Sequence, residues 1–225
     1  MLQDAYKEIQ NIAFIVDGNR RWAKDRGLPS LMGHKAGFDR LKEVCEWVKE
    51  AGIPHMAAYV FSTENWNRSQ EEVSYLMELF DSMAKEWGNS FVEKGIRVRF
   101  IGRLDMLPEN VRVSISDLEQ KSSHNTALTV WVCISYGGRA EILAAARNFS
   151  GESEEDLKKA MWSAEMPDPD IIVRSGGEMR LSNFLLWQGA YSELFFIKPY
   201  WPDFDRVAFD ALLAEYAERN RRHGK

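Results

Sequence analysis

The chain has 225 residues, 45% of them hydrophobic and 28% charged, which is the composition of an ordinary globular protein with a substantial core and predicts one domain over residues 1–225. Its 29 basic and 34 acidic residues give a formal charge of -5, which argues against a general nucleic-acid-binding surface and leaves room only for local basic clusters. Cys45 and Cys133 are the only cysteines and lack metal-ligand spacing; together with the absence of a secretory leader pattern or a membrane-length apolar run, this predicts a cytoplasmic chain without disulfides.

Residues 1–10 read as an exposed lead-in and 11–16 as the first strand, which ends in Asp17-Gly18-Asn19-Arg20-Arg21-Trp22, with a helix starting near Arg21. Residues 34–51 repeat apolar side chains at helical spacing, and Gly52 and Pro54 stop them. Residues 55–61 read as a strand by length and aromatic content, ending in the polar run Ser62-Thr63-Glu64-Asn65-Trp66-Asn67-Arg68. A long helix follows, with Val73, Leu76, Met77, Phe80, Met83, Ala84, Trp87 and Phe91 on one broad stripe and Gly95 at its close. Strands are then predicted over 96–101 and 127–134 around a helix over 107–121, and a helix through Ala146 follows the turn Tyr136-Gly137-Gly138-Arg139. A short helix over 156–164 and the extended Pro167-Asp168-Pro169-Asp170 tract lead to a strand over 171–173. Arg174 to Arg180 leaves that strand, Ser182 or Asn183 is placed to cap a further element, and a strand over 194–197, a helix over 204–216 and a basic tail over 219–225 complete the chain.

Strands alternating with helices predict a largely parallel α/β sheet covered on both faces, in which the polar strand exits gather along one edge. No Walker A pattern, dinucleotide fingerprint or Gly-x-Ser-x-Gly elbow occurs. Two of the exits instead carry arginines, Arg20 and Arg21 at one and Arg174 and Arg180 at the other, and planar guanidiniums suit phosphate. Asp17 and Glu193 are the best carboxylates for Mg2+, although a salt bridge is the simpler reading of Glu193 taken alone. His34 is read either as a donor to phosphate or as a helix cap. Ser62, Glu64, Asn65 and Arg68 form either a polar rim or capping chemistry, and the Met77, Phe80, Met83 and Trp87 stripe is either core or the wall of an apolar pocket.

Taken in order, Asp17 to Ala23, Gly33-His34, Phe61 to Arg68, Tyr136 to Arg139, Arg174 to Trp187, Ala190 to Glu193, Trp201 to Phe204 and Arg221 to Gly224 resemble the cis-prenyltransferase family, in particular its undecaprenyl diphosphate synthase group. The resemblance covers nearly the whole chain. It implies a homodimeric, Mg2+-dependent enzyme with a hydrophobic tunnel, which adds isopentenyl diphosphate to an allylic diphosphate, usually farnesyl diphosphate, and makes a polycis-polyprenyl diphosphate of undecaprenyl type. It further implies transient contact with a membrane surface for product release. Carried over by matching position, Asp17 supports metal-assisted catalysis and Glu193 completes the metal site. Gly18, Asn19, Arg20, Arg21 and His34 hold the allylic diphosphate, while Arg174, Arg180 and Ser182 hold that of isopentenyl diphosphate. Trp22, Ser62, Thr63, Glu64, Trp66 and Arg68 arrange the substrates, and Asn65 takes the role the family gives to proton acceptance. A neutral amide has little basicity, so orientation of a water or phosphate oxygen suits Asn65 better.

Three positions depart from the common pattern. Arg20 stands where many relatives have glycine. Ser30 stands where many have a diphosphate-binding arginine, a loss for which Arg20 or Arg26 is placed to compensate. Val60 stands where long-chain relatives have alanine, which makes a short-chain cis-prenyl diphosphate synthase the main alternative. A noncatalytic partner subunit and a phosphate-binding domain without turnover are the remaining ones, and the presence of both Asp17 and Glu193 argues against the partner subunit.

Overall fold

Every residue of Asn11–Ile15 is buried, as a central strand flanked by two others and covered on both faces requires. This strand, β1, lies within a sheet of six parallel strands in a computed structural model that describes residues 8–219. The others are β2 (His55–Ser62), β3 (Ile96–Ile101), β4 (Leu128–Tyr136), β5 (Ile171–Arg174) and β6 (Glu193–Phe196), and the spatial order is β3-β4-β2-β1-β5-β6. The helices are α1 (Asn19–Asp25), α2 (Ser30–Glu50), α3 (Gln70–Glu93), α4 (Glu109–Ser122), α5 (Gly138–Asn148), α6 (Glu154–Lys159) and α7 (Arg206–Glu218).

From β1 the chain builds outward through β2 to β3 and β4, then returns across the sheet to add β5 and β6 on the other side. The strand order therefore reverses between β1 and β5. Beyond the carboxyl ends of two such strands the connections part and leave a crevice, the usual ligand position in open α/β sheets. Register sets its depth, because Ile15 lies opposite Arg174 across β1 and β5 and opposite Tyr59 on β2.

Alternate side chains of β1 serve two cores. Ile12 and Phe14 join the larger one, with α2, α3, α4 and α7, where Phe14 packs against Trp201 and Phe204. Ala13 and Ile15 join the smaller one, covered by Trp162, Met166, Phe184 and Leu185.

Several predicted boundaries move. Ile9 is buried, and the backbone N–H groups of Gln10 and Asn11 donate to Asp170, so the end of the expected lead-in is tied to the sheet. Residues 1–7, and the tail and final motif after Arg219, lie outside the described residues. The first strand stops at Ile15, α2 and α3 begin at Ser30 and Gln70, and α6 ends at Lys159. Ser182 and Asn183 start no helix after them; Asn183 instead accepts from the Gly138 and Arg139 N–H groups at the start of α5. Together with Leu185, Ser182 and Asn183 take left-handed backbone angles, φ 49°, 67° and 40°, which break any helix there and fold the segment into turns over the smaller core.

Candidate functional site

The crevice opens into a cavity of about 1190 Å³. Fourteen of the eighteen residues singled out from the sequence line it: Asp17, Gly18, Asn19, Arg20, Arg21, Ser30, His34, Ser62, Glu64, Asn65, Arg68, Arg174, Arg180 and Ser182.

Asp17 sits at the strand reversal and is fixed by its own backbone. Its N–H donates to Ser175 Oγ at 3.1 Å, and its carbonyl accepts from Ser175 Oγ at 2.8 Å and from the Trp201 N–H at 3.0 Å. The carboxylate accepts from the Gly18 N–H at 2.6 Å and from Arg174 Nη2 at 2.7 Å, and Arg21 Nη2 stands 3.4 Å away. Gly18 takes φ 100°, and a Cβ there would come within 2.6 Å of the Tyr200 ring, so the turn that launches α1 requires glycine. Arg174 is almost fully buried, and its Nη1 donates to the Arg180 carbonyl at 2.6 Å and to Ser182 Oγ at 2.7 Å. It ties the β1 exit to the loop that carries Arg180 and Ser182.

A second buried carboxylate, Glu72 of α3, organises the other wall. Its Oε1 accepts from His34 Nε2 at 3.0 Å and Arg68 Nη1 at 2.9 Å, while Arg20 Nη1 stands 3.6 Å from Oε2. Burial pushes the His34 imidazole down more than the Glu72 hydrogen bond raises it, and Arg68 and Arg20 add to the lowering, so the ring is neutral near pH 7 and donates its Nε2–H. Glu72 was missed in the sequence, although Ser69 with Glu72 three residues on, at the start of a helix, is the readable pattern of a capping box.

Asn65 Oδ1 accepts from the Ser62 N–H at 3.0 Å, so the oxygen already has a donor. Burial raises the Glu64 carboxyl, but hydrogen bonds from Asn183 Nδ2, the backbone and Thr63 outweigh it and hold the group below its ordinary range. Asn183, read from the sequence only as a cap, accepts from the Arg139 N–H and so joins two strand exits at the site.

Four expected site residues do not line the cavity. Trp22 turns outward, its Nε1 donating to Asp203 and its ring stacked on Arg26 at 4.4 Å. Thr63 Oγ1 donates to Glu64, and Trp66 packs edge-on against Phe61 with its Nε1 on Ser135 Oγ. Glu193 is at the amino end of β6, level with Ile171 rather than Arg174, and pairs with Arg219. Parallel strand polarity places it at the edge away from Asp17, so within one chain it does not complete a metal site there. Nor does Arg26 replace the missing charge at Ser30, because Asp203 holds it at 3.0 Å outside the cavity; Lys24 lines the cavity instead.

The α3 stripe is core. Met77, Phe80, Met83 and Trp87 are buried and none lines the cavity, whose apolar lining includes Val16, Val60 and Phe61. Phe80 packs edge-to-face on Phe38 and Phe61 at 5.3 and 5.9 Å, behind the Phe61 wall of the cavity.

Among the described residues no group of three or more His, Cys, Asp or Glu could hold a metal by itself. A single carboxylate with substrate phosphate oxygens and water is a usual Mg2+ arrangement, and Asp17, partly exposed beside the arginines, fits it.

The family model described as putative undecaprenyl diphosphate synthase matches residues 15–224. An isoprenyl transferase of Thermotoga maritima is 42% identical over 224 residues, covering 96% of both chains. The ditrans,polycis-undecaprenyl-diphosphate synthase ((2E,6E)-farnesyl-diphosphate specific) of Micrococcus luteus is 38% identical over 226 residues, covering 96% of this chain and 91% of its own. Among solved structures, lavandulyl diphosphate synthase from Lavandula x intermedia, in complex with dimethylallyl diphosphate, superposes with a TM-score of 0.90 at 32% identity, covering 96% of this chain and 98% of that one.

Proposed function

The chain belongs to the undecaprenyl diphosphate synthase family, and from that membership we propose that it is an isoprenyl transferase condensing isopentenyl diphosphate with an allylic diphosphate, a new cis double bond forming at each addition. The observation that carries the reading is one cavity in which Asp17 lies between two arginine groups from different strand exits, a site for two anionic substrates.

Loss of the allylic diphosphate leaves negative charge on its oxygens, which Arg20, Arg21 and Arg68 stabilise as donors already held in position by Glu72 and Asp17. Arg180 and Ser182 hold the second diphosphate, with Arg174 bracing the loop beneath them. The alkene of isopentenyl diphosphate supplies the electron pair for the new carbon–carbon bond. The proton lost in closing the double bond goes to a phosphate oxygen or water, and Asn65 orients the acceptor through its amide hydrogens. Mg2+ at Asp17 would neutralise diphosphate charge as a Lewis acid.

The family resemblance supports farnesyl diphosphate as primer and an undecaprenyl-type product, the specificity named for the Micrococcus luteus enzyme. A second reading, a short-chain product, is favoured by Val60 and by Phe61, which lines the cavity and is backed by Phe80. The family resemblance supports a homodimer. No helix among the described residues is long and apolar enough to cross a membrane, so release of a long product calls for contact with a membrane surface.

The test is incubation of the chain with Mg2+, isopentenyl diphosphate and farnesyl diphosphate, with the products sized. Elongation by the wild-type chain and a fall in rate of about 10²-fold or more for Asp17→Ala, at an unchanged circular dichroism spectrum, are expected. Wild-type-like turnover by Asp17→Ala removes Asp17 from the mechanism.

A further inference from the structure

One more carboxylate spans the two arginine groups. Glu178, on the turn after β5, lies with Oε1 3.4 Å from Arg21 Nη1, and its Oε2 accepts from Arg180 Nη1 at 2.5 Å. Unlike the buried Glu72, it is accessible, with 37% of its side chain exposed against 10% for Glu72. It presents two oxygens to one guanidinium from each half of the site, as a terminal phosphate would.

We propose that Glu178 is a built-in counter-anion shared by the two diphosphate half-sites, displaced when a diphosphate binds and returning as pyrophosphate leaves. It thereby limits how tightly the site retains its anionic by-product. The inference rests on the reading of the cavity as a diphosphate site.

The alternative role is a brace that orients the arginines, and the surroundings argue against it. Arg21 is also placed by Asp17 Oδ1 at 3.4 Å and by the Tyr200 ring at 5.3 Å. The turn itself is pinned to the β6 exit by Gly176 N–H to the Pro199 carbonyl at 2.7 Å and Gly177 N–H to the Ile197 carbonyl at 2.9 Å. Removing the Glu178 charge therefore leaves Arg21 and the turn that carries Arg180 in place and frees both guanidiniums of a competitor.

The two roles predict opposite signs. Titration calorimetry with inorganic pyrophosphate, on the full chain and its Glu178→Gln variant, should show binding tighter by about threefold to tenfold in the variant. The melting temperature should be unchanged, and pyrophosphate should inhibit turnover more strongly by the same ratio. Glu165→Gln, which removes an exposed carboxylate paired with Arg99, controls for the change in net charge and should bind as the wild type does. Equal or weaker binding by Glu178→Gln, or equal tightening by Glu165→Gln, overturns the proposal. Failure of every form to bind pyrophosphate overturns the diphosphate reading with it. Wild-type binding without prenyl transfer overturns the proposed reaction alone and leaves the sign of the Glu178 effect readable.

Discussion

Glu72 holds Arg20, Arg68 and His34, which arrive from three separate stretches of chain, and a pH measurement isolates one of these contacts. The His34 ring titrates lower in the folded chain than in the unfolded one, chiefly because it is buried. The unfolded ring, with a pKa near about 6.5, therefore takes up its proton first as the solution is acidified. The stability carried by the neutral ring is present above that pH and is lost as pH falls below it. His34→Gln should flatten the decline in melting temperature between about pH 7 and 5 relative to wild type, read by thermal unfolding across that range. Equal slopes would assign the decline to other groups. Most of the individual site residues were legible because they stand at polar strand exits, as Asp17, Ser62 and Arg174 do. Direction was not: Trp22 belongs to the same motif as Asp17 but turns away, since its heading depends on Asp203, a partner remote in the chain.

At the level of elements, α1 is positioned by close approach to α2. The Asn19 carbonyl lies against Gly33, where a Cβ would come within 2.0 Å of it, and the Asn19 amide lies flat against Gly37. The Asn19 side chain is thus a packing group between helices, with a buried Oδ1 that finds no donor. Gly33→Ala should push α1 away, lowering stability by about 1–3 kcal/mol and raising KM for the allylic substrate more than it lowers kcat. Chemical denaturation and steady-state kinetics would check both, and an unchanged KM would separate α1 placement from substrate binding. Periodicity found the strands and long helices within a few residues. It could not find the turns at 181–190, because their left-handed residues include Leu185, whose side chain gives no turn signal and is held by the smaller core.

In the whole molecule, the proposed prenyl transfer makes the space between sheet and α3 the place where product size is to be tested. Val60 and Phe61 line the cavity from β2, and Phe80 packs against Phe61. Val60→Ala should shift the products toward longer chains, at a loss of about 1 kcal/mol or less in stability. Product sizing at fixed substrate ratio is the check, and an unchanged distribution would move the limit to Phe61 and Phe80. Alternation of strands and helices made the parallel sheet readable, but strand order is set by pairings between distant segments. Glu193 shows the result: it shares a motif with site residues, yet strand polarity carries it to the opposite edge. The same long-range order has a kinetic side. Asp17 meets Arg174 across 157 residues of chain, and β5 reaches β1 only by closing a loop of that length. Contacts of such separation carry a large loop-closure penalty and belong to the late stages of folding. The arginine that completes the site therefore arrives near the end of folding, and a chain halted before β5 would carry Asp17 without it.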